Sequence, residues 1–165
     1  ALVADDYYKQ GLTINRTLCF LRREDELLLL KRALTARIFP GRFNGVGGHI
    51  EQGEDPLTCA RREILEETGL TVHALDLRAI YAIDAGQVNG IMVFVFVGSV
   101  STRNVIDSDE GKLHWIPIAK LADYPLVDDL YQILPRILQC PVESAPLFIQ
   151  MRYNGSDELV LQVIE

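Results

Sequence analysis

Along this 165-residue chain the apolar positions fall into short runs that suit strands, and two longer segments carry helix signals instead. Residues 12–21 and 27–32 are apolar and β-prone, and Arg22-Arg23-Glu24-Asp25-Glu26 between them suits a hairpin connection. Residues 72–83 and 91–100 predict two further strands around 84–90. The second is almost entirely apolar, as a strand covered on both faces must be, and both are expected near the middle of a sheet. Lys112–Trp115 predicts a short strand after a polar loop over 101–111. Residues 147–153 and 159–164 flank Asn154-Gly155-Ser156-Asp157 and predict a closing hairpin.

The first helix is bounded by its own chemistry. Asp55 suits the N-cap, Pro56 the first helical position, and Gly69 a stop just beyond Thr68. A second helix is expected over Asp128–Gln139, with Pro135 kinking or interrupting it. Strands flanking one helix, with at least one more helix, predict an α/β protein: an α/β/α sandwich on a mixed sheet.

The first helix also breaks a rule of helix stability. At roughly 100° per residue, Glu63, Glu66 and Glu67 fall within an arc of about 100°, with Leu57, Ala60 and Ile64 beside them facing the core. Like charges four apart cost roughly 0.2–0.5 kcal/mol, and acids at a helix C-terminus oppose the macrodipole. A divalent metal reverses that sign, because clustered carboxylates suit Mg²⁺ or Mn²⁺. An exposed acidic helix face is the bland alternative, and the wider spacing overrules it. Gly48, five residues, Glu54, seven residues, Arg62-Glu63-Ile64, one residue, Glu66-Glu67, one residue, Gly69-Leu70 matches the Nudix box at every position.

The chain thus resembles the Nudix hydrolases, which cleave nucleoside diphosphates linked to another group with Mg²⁺ or Mn²⁺. The resemblance implies a Nudix α/β/α sandwich with Glu63, Glu66 and Glu67, together with the Gly48 carbonyl, as metal ligands. One of these glutamates would orient or deprotonate the attacking water. Arg62 and Glu54 would brace the motif. Three further segments are similar to the MutT branch, which hydrolyses oxidised purine triphosphates such as 8-oxo-dGTP. In Gly41–Gly48 the matching asparagine is Asn44, implied to read the purine; a turn-forming Asn before Gly45 is the other reading. In Tyr124–Asp129 the matching residues are Asp128 and Asp129, implied to bond the base, while Asp128 equally suits a helix cap. In Asp107–Gly111, Glu110 matches a further metal-site glutamate or belongs to a solvated turn. Arg32 matches a phosphate-binding cation or is a strand-end charge. Trp115 reads as core.

The resemblance implies a metal-dependent triphosphate pyrophosphohydrolase that sanitises the nucleotide pool, a role in DNA repair. The alternatives are a Nudix hydrolase of ADP-ribose or dinucleoside polyphosphates, or a non-catalytic nucleotide-binding module.

Composition narrows this picture. At 48% hydrophobic and 24% charged, the chain has material for one domain, expected to span 1–165 with the box at 48–70. A net charge of −7 offers no basic surface for long nucleic acids, so the expected partner is a nucleoside triphosphate. No apolar run of about 18 residues predicts a membrane span, and no signal-peptide pattern opens the chain. Cys19, Cys59 and Cys140 lack metal-type spacing and read as free thiols. The expectation is a cytoplasmic protein, monomer or homodimer.

Overall fold

The computed structural model describes residues 11–141 and 143–165; the first ten residues of the expected 1–165 unit lie outside them. Strands β1 (Thr13–Arg23) and β2 (Glu26–Arg32) form the expected hairpin. They pair from Arg23↔Glu26 to Leu21↔Leu28. Both arginines belong to β1, so the turn is tighter than the charge pattern suggests: only Glu24 and Asp25 form it, with Glu24 at φ 52°. Next come β3 (Phe43–Asn44), helix α1 (Pro56–Thr68), β4 (Asp76–Asp84), β5 (Gly90–Ser99) and β6 (Gly111–Pro117). A 3-10 turn (Ile118–Asp123), α2 (Leu130–Gln139), β7 (Leu147–Tyr153) and β8 (Leu159–Ile164) complete the order.

The sheet order is β3-β2-β1-β5-β4-β7-β8, with β6 on β2. It is mixed, since β1 runs parallel to β5 and β4 parallel to β7 while the other pairs are antiparallel. β4 and β5 are interior, as their apolar content demands.

Two-residue alternation sends the side chains of one strand into two cores. Phe20, Leu27 and Leu29 join Ile133, Leu134 and Ile137 of α2, whereas Cys19, Leu21, Leu28 and Leu30 join Ala60 and Ile64 of α1. Trp115 packs on the α1 side. With a helix on each face, the unbroken Leu27–Leu30 run is fully buried.

Several boundaries move. The strand expected from 72 begins at Asp76; Val72 is buried in the α1 core without joining the ladder. α2 begins at Leu130 rather than at Asp128. It runs through Pro135, whose missing N–H leaves the Tyr131 carbonyl without its helical donor at an exposed residue. β3 and the 3-10 turn had no signal in the hydrophobic pattern. Among the described residues no helix is long and apolar enough to cross a membrane, and the three cysteines are free.

Beyond Leu21↔Leu28, β1 and β2 part, and residues 43–49 enter the gap. Asn44 lies opposite Leu30, Val46 opposite Cys19, and His49 opposite Arg16. This wedge positions everything that follows.

Candidate functional site

The wedge carries Gly47 and Gly48 past the C-terminal half of α1. A Cβ on Gly47 would collide with the Thr17 carbonyl, and one on Gly48 would meet Glu63 Oε1 at 2.5 Å. Glycine here permits contact with β1 on one side and the acids on the other. The Gly47 N–H donates to Glu67 Oε2 at 2.7 Å. The Gly48 carbonyl accepts the Thr17 N–H at 2.9 Å, which leaves one lone pair for another partner.

α1 itself forms as its ends predict. The Asp55 side chain accepts the Thr58 N–H at 2.9 Å, and Gly69 closes the helix in the left-handed region, φ 77°, donating to the Leu65 carbonyl. Glu67 is only 6% exposed, an unusual depth for a carboxylate.

Arg62 holds the acids in order. Its Nε and Nη2 grip both oxygens of Glu54 at 2.8 and 2.9 Å, Nη1 reaches Glu63 at 2.9 Å and Glu66 at 3.3 Å, and Nη2 donates to the His49 carbonyl. The pairing holds Glu54 down at about 2 and pushes Arg62 up.

Glu63 and Glu67 shift the opposite way. Burial raises Glu63, against the Arg62 bonds that lower it. Burial also pushes Glu67 up to about 8, opposed by the Gly47 N–H and reinforced by Glu63, Glu110 and Glu66. Glu110, on the exposed turn before β6, is therefore close enough for its charge to act on both. Asp107 has a local task, accepting the Leu113 N–H. Among the described residues no three His, Cys, Asp or Glu side chains already converge as a metal cage. The donor set nonetheless fits a hard divalent cation: carboxylate oxygens and a free carbonyl lone pair, crowded until they oppose their own ionisation.

The other end of the wedge meets the segment before α2. Phe43 N–H donates to the Pro125 carbonyl and the Val127 N–H to the Phe43 carbonyl, a parallel bridge Phe43↔Leu126. Tyr124 packs edge-on against Phe43, and the Tyr131 hydroxyl bonds both the Tyr124 carbonyl and the Leu126 N–H. Asn44 and Asp128-Asp129 are thereby held at the same end of the wedge.

Asp129 occupies the N-cap position of α2 without a side-chain cap bond, and the Asp128 carboxylate turns to Arg42 Nη1 at 3.2 Å. Neither acid is used as a cap. Burial pushes Asp129 up to about 6, with its own backbone N–H and the Tyr81 hydroxyl pulling the other way. The Asn44 carbonyl oxygen accepts the Gly45 N–H at 2.8 Å, the local turn bond, so its NH₂ is the end left for a ligand. Arg32 Nε is committed to the Ile38 carbonyl at 2.7 Å, which secures the loop between β2 and β3. A concavity lined by Thr13, Ile83, Ile91, Met151 and Arg152 has neither Glu63 and Glu67 nor Asn44, Asp128 and Asp129 in its wall.

The pairing of Arg42 with Asp128 and the place of Tyr81 beside Asp129 were missed by sequence reasoning. Nothing in the chain's spacing joins residue 42 to residue 128. Tyr81 had a faint signal, a phenol at an inward position of an apolar strand.

Comparison with known proteins agrees with this geometry. Residues 12–137 match the NUDIX domain family model. An uncharacterized Nudix hydrolase, YvcI of Bacillus subtilis, is 32% identical over 115 residues, covering 67% of this chain and 70% of that protein. An oxidized purine nucleoside triphosphate hydrolase of Danio rerio is 32% identical over 100 residues, 60% of this chain and 64% of that protein, less than two thirds of its length. The crystal structure of a MutT protein from Bacillus halodurans superposes with TM-score 0.76 at 28% identity, covering 91% of this chain and 97% of that one. A family match over most of the chain, which includes the Gly47-Gly48 and α1 arrangement just described, makes this protein a member of the Nudix hydrolase family.

Proposed function

We propose that the protein is a cytoplasmic, divalent-metal-dependent nucleoside triphosphate pyrophosphohydrolase, which converts purine triphosphates, oxidised forms such as 8-oxo-dGTP among them, to the monophosphate and pyrophosphate. The observation that carries this reading is the wedge. A single short segment presents Asn44 beside Asp128-Asp129 at one end and Gly47-Gly48 against Glu67 and Glu63 at the other. Asn44 and Gly48 are at most roughly 13 Å apart along extended chain, a span that suits a purine and its phosphates. The likeness to the Danio rerio oxidized purine nucleoside triphosphate hydrolase supports the same substrate class.

Glu63, Glu66, Glu67, Glu110 and the Gly48 carbonyl would hold Mg²⁺ or Mn²⁺. When bound, the cation neutralises charge on phosphate oxygens and lowers the pKa of water. The protein's own part is positional. Arg62, anchored on Glu54, keeps Glu63 and Glu66 on one face, and the Gly47 N–H fixes one Glu67 oxygen so that the other is free to take a proton from water. Water oxygen bonds to the β phosphorus, and the bond from that phosphorus to the α–β bridging oxygen breaks. The monophosphate leaves from one side and pyrophosphate from the other. At the far end Asn44, Asp128 and Asp129 read the purine edge, an amide and two acids sharing out donors and acceptors.

The test is hydrolysis of 8-oxo-dGTP, dGTP, dATP, pyrimidine triphosphates and ADP-ribose side by side, with and without Mg²⁺ and with products identified. Oxidised-purine preference with pyrophosphate release is expected. Preference for ADP-ribose would discard the base-site assignment, and absence of turnover with every substrate would favour a binding module.

A further inference from the structure

The base-reading end contains a polar group that the reaction as described does not use. Tyr81 lies on β4, level with Val93 of β5 and Ile149 of β7, and belongs to the apolar core beneath α2. It is 2% exposed, and among the described residues its hydroxyl has no hydrogen-bond partner. Packing alone would be better served by phenylalanine, because an unpaired buried hydroxyl has lost its water for nothing. The ionisable group that faces it is Asp129, near enough for its charge and a hydroxyl–carboxyl contact to act on both groups, although the contact falls short of an ordinary hydrogen bond.

We propose that Tyr81 is a positioning residue of the base-reading pair: its hydroxyl donates to one oxygen of the Asp129 carboxyl, leaving the other oxygen to the purine. This rests on the reading of Asp129 as a base contact.

The surroundings single out this hydroxyl. Asp129 is faced by Tyr81 from β4, by Tyr153 from the end of β7 and by its neighbour Asp128, whose own charge is matched by Arg42 from the loop before β3. Tyr153 is 40% exposed, so water can satisfy it. Arg42 is spent on Asp128 and on the Leu126 carbonyl. Tyr81 alone of these groups is both dry and unpaired. A donor that engages one fixed oxygen removes the rotational ambiguity of a carboxyl, so a base with the wrong donor–acceptor order meets a group that cannot turn to accommodate it.

The experiment compares Tyr81→Phe with wild type, using Tyr153→Phe as control. In the ligand-free protein, carboxyl ¹³C NMR should find Asp129 titrating near 6. That midpoint should move up by about one unit in Tyr81→Phe, since a lost donor disfavours the ionised form, and stay in place in Tyr153→Phe. The kcat/KM ratio of purine over pyrimidine triphosphate should fall about tenfold in Tyr81→Phe, mainly through KM, and no further when Tyr81→Phe is added to Asp129→Asn. An unmoved Asp129 midpoint, with Tyr81→Phe merely raising Tm, overturns the proposal and leaves the hydroxyl a packing defect. A moved midpoint with purine preference unchanged in both Tyr81→Phe and Asp129→Ala overturns the base-contact reading, and with it the hydroxyl's role toward the purine. Removal of one unpaired hydroxyl leaves packing intact, so Tyr81→Phe is expected to fold.

Discussion

The two ends of the wedge are built on different principles. At the acidic end every participant except Glu110 and Thr17 lies between Gly47 and Gly69, and one guanidinium ties four residues together. Helix geometry does the assembly, because α1 returns to the same face every three or four residues. At the base end Arg42 and Asn44, Tyr81, and Asp128 with Asp129 come from three distant stretches of chain. Arg42 and Asn44 meet Asp128 and Asp129 because Phe43 bonds the backbone of Pro125 and Val127, and Tyr81 joins them from the core beneath α2. The contrast teaches that the acidic end should fail through chemistry when altered, whereas the base end should fail through discrimination.

The largest effect is expected from Glu67→Gln. An amide still accepts the Gly47 N–H but cannot take a proton or hold a cation as a carboxylate does. Turnover should fall by about 10²–10⁴-fold for every triphosphate alike, with Tm unchanged or raised, since a buried carboxylate is replaced by a neutral group. Steady-state rates on a purine and a pyrimidine substrate test this, and a loss confined to purines would refute the division of labour.

Arg62→Ala should follow, costing about 10–100-fold in metal affinity or rate, because Glu54, Glu63 and Glu66 lose their common partner. Arg62→Lys should recover only part, since an ammonium cannot grip both Glu54 oxygens while reaching Glu63. Metal titration of the rate separates affinity from chemistry here.

At the base end, Asp129→Ala should lower kcat/KM for purines by about tenfold or somewhat more, the consequence of leaving a base edge unpaired, while pyrimidines change little. Equal losses for both substrate classes would refute base reading.

Asp129→Asn sharpens the same point through pH. Because the folded-state carboxyl titrates near 6, above its ordinary 3.8, the penalty for ionising it is absent below about 4 and complete above about 6. Wild-type stability therefore falls as pH rises through that window. The Asn variant lacks this slope, so thermal melts should show equal Tm near pH 4 and a variant higher by a few degrees at pH 7.5.

The smallest effect belongs to Arg42→Ala. Its ion pair with Asp128 is half exposed, 42% and 53% for the two side chains, so about 0–1 kcal/mol of stability is at stake. Purine preference should drop severalfold at most.

Reading the chain in sequence succeeded where a feature repeats at short range. The α1 caps, the box spacing, the central strands β4 and β5 and the closing hairpin were all legible, because each is a local pattern of turn chemistry or burial. It stopped short where pairing is distant. β3 is two residues long, and its partners Leu30 and Leu126 carry no mark of the contact. Asp128 read equally well as a cap or a contact until Arg42 was seen holding its carboxylate.

By itself, then, the sequence determined the fold class, the Nudix signature and the acid-rich face of α1, since these follow from periodicity and spacing within a single element. Only the tertiary structure decided that β1 and β2 part to admit residues 43–49, that Arg42 pairs with Asp128, and that the Tyr81 hydroxyl is buried facing Asp129. Those contacts join segments that range from Leu30 with Asn44 to Arg42 with Asp128, and their geometry is set by which strands neighbour one another in the sheet, a property no local pattern encodes.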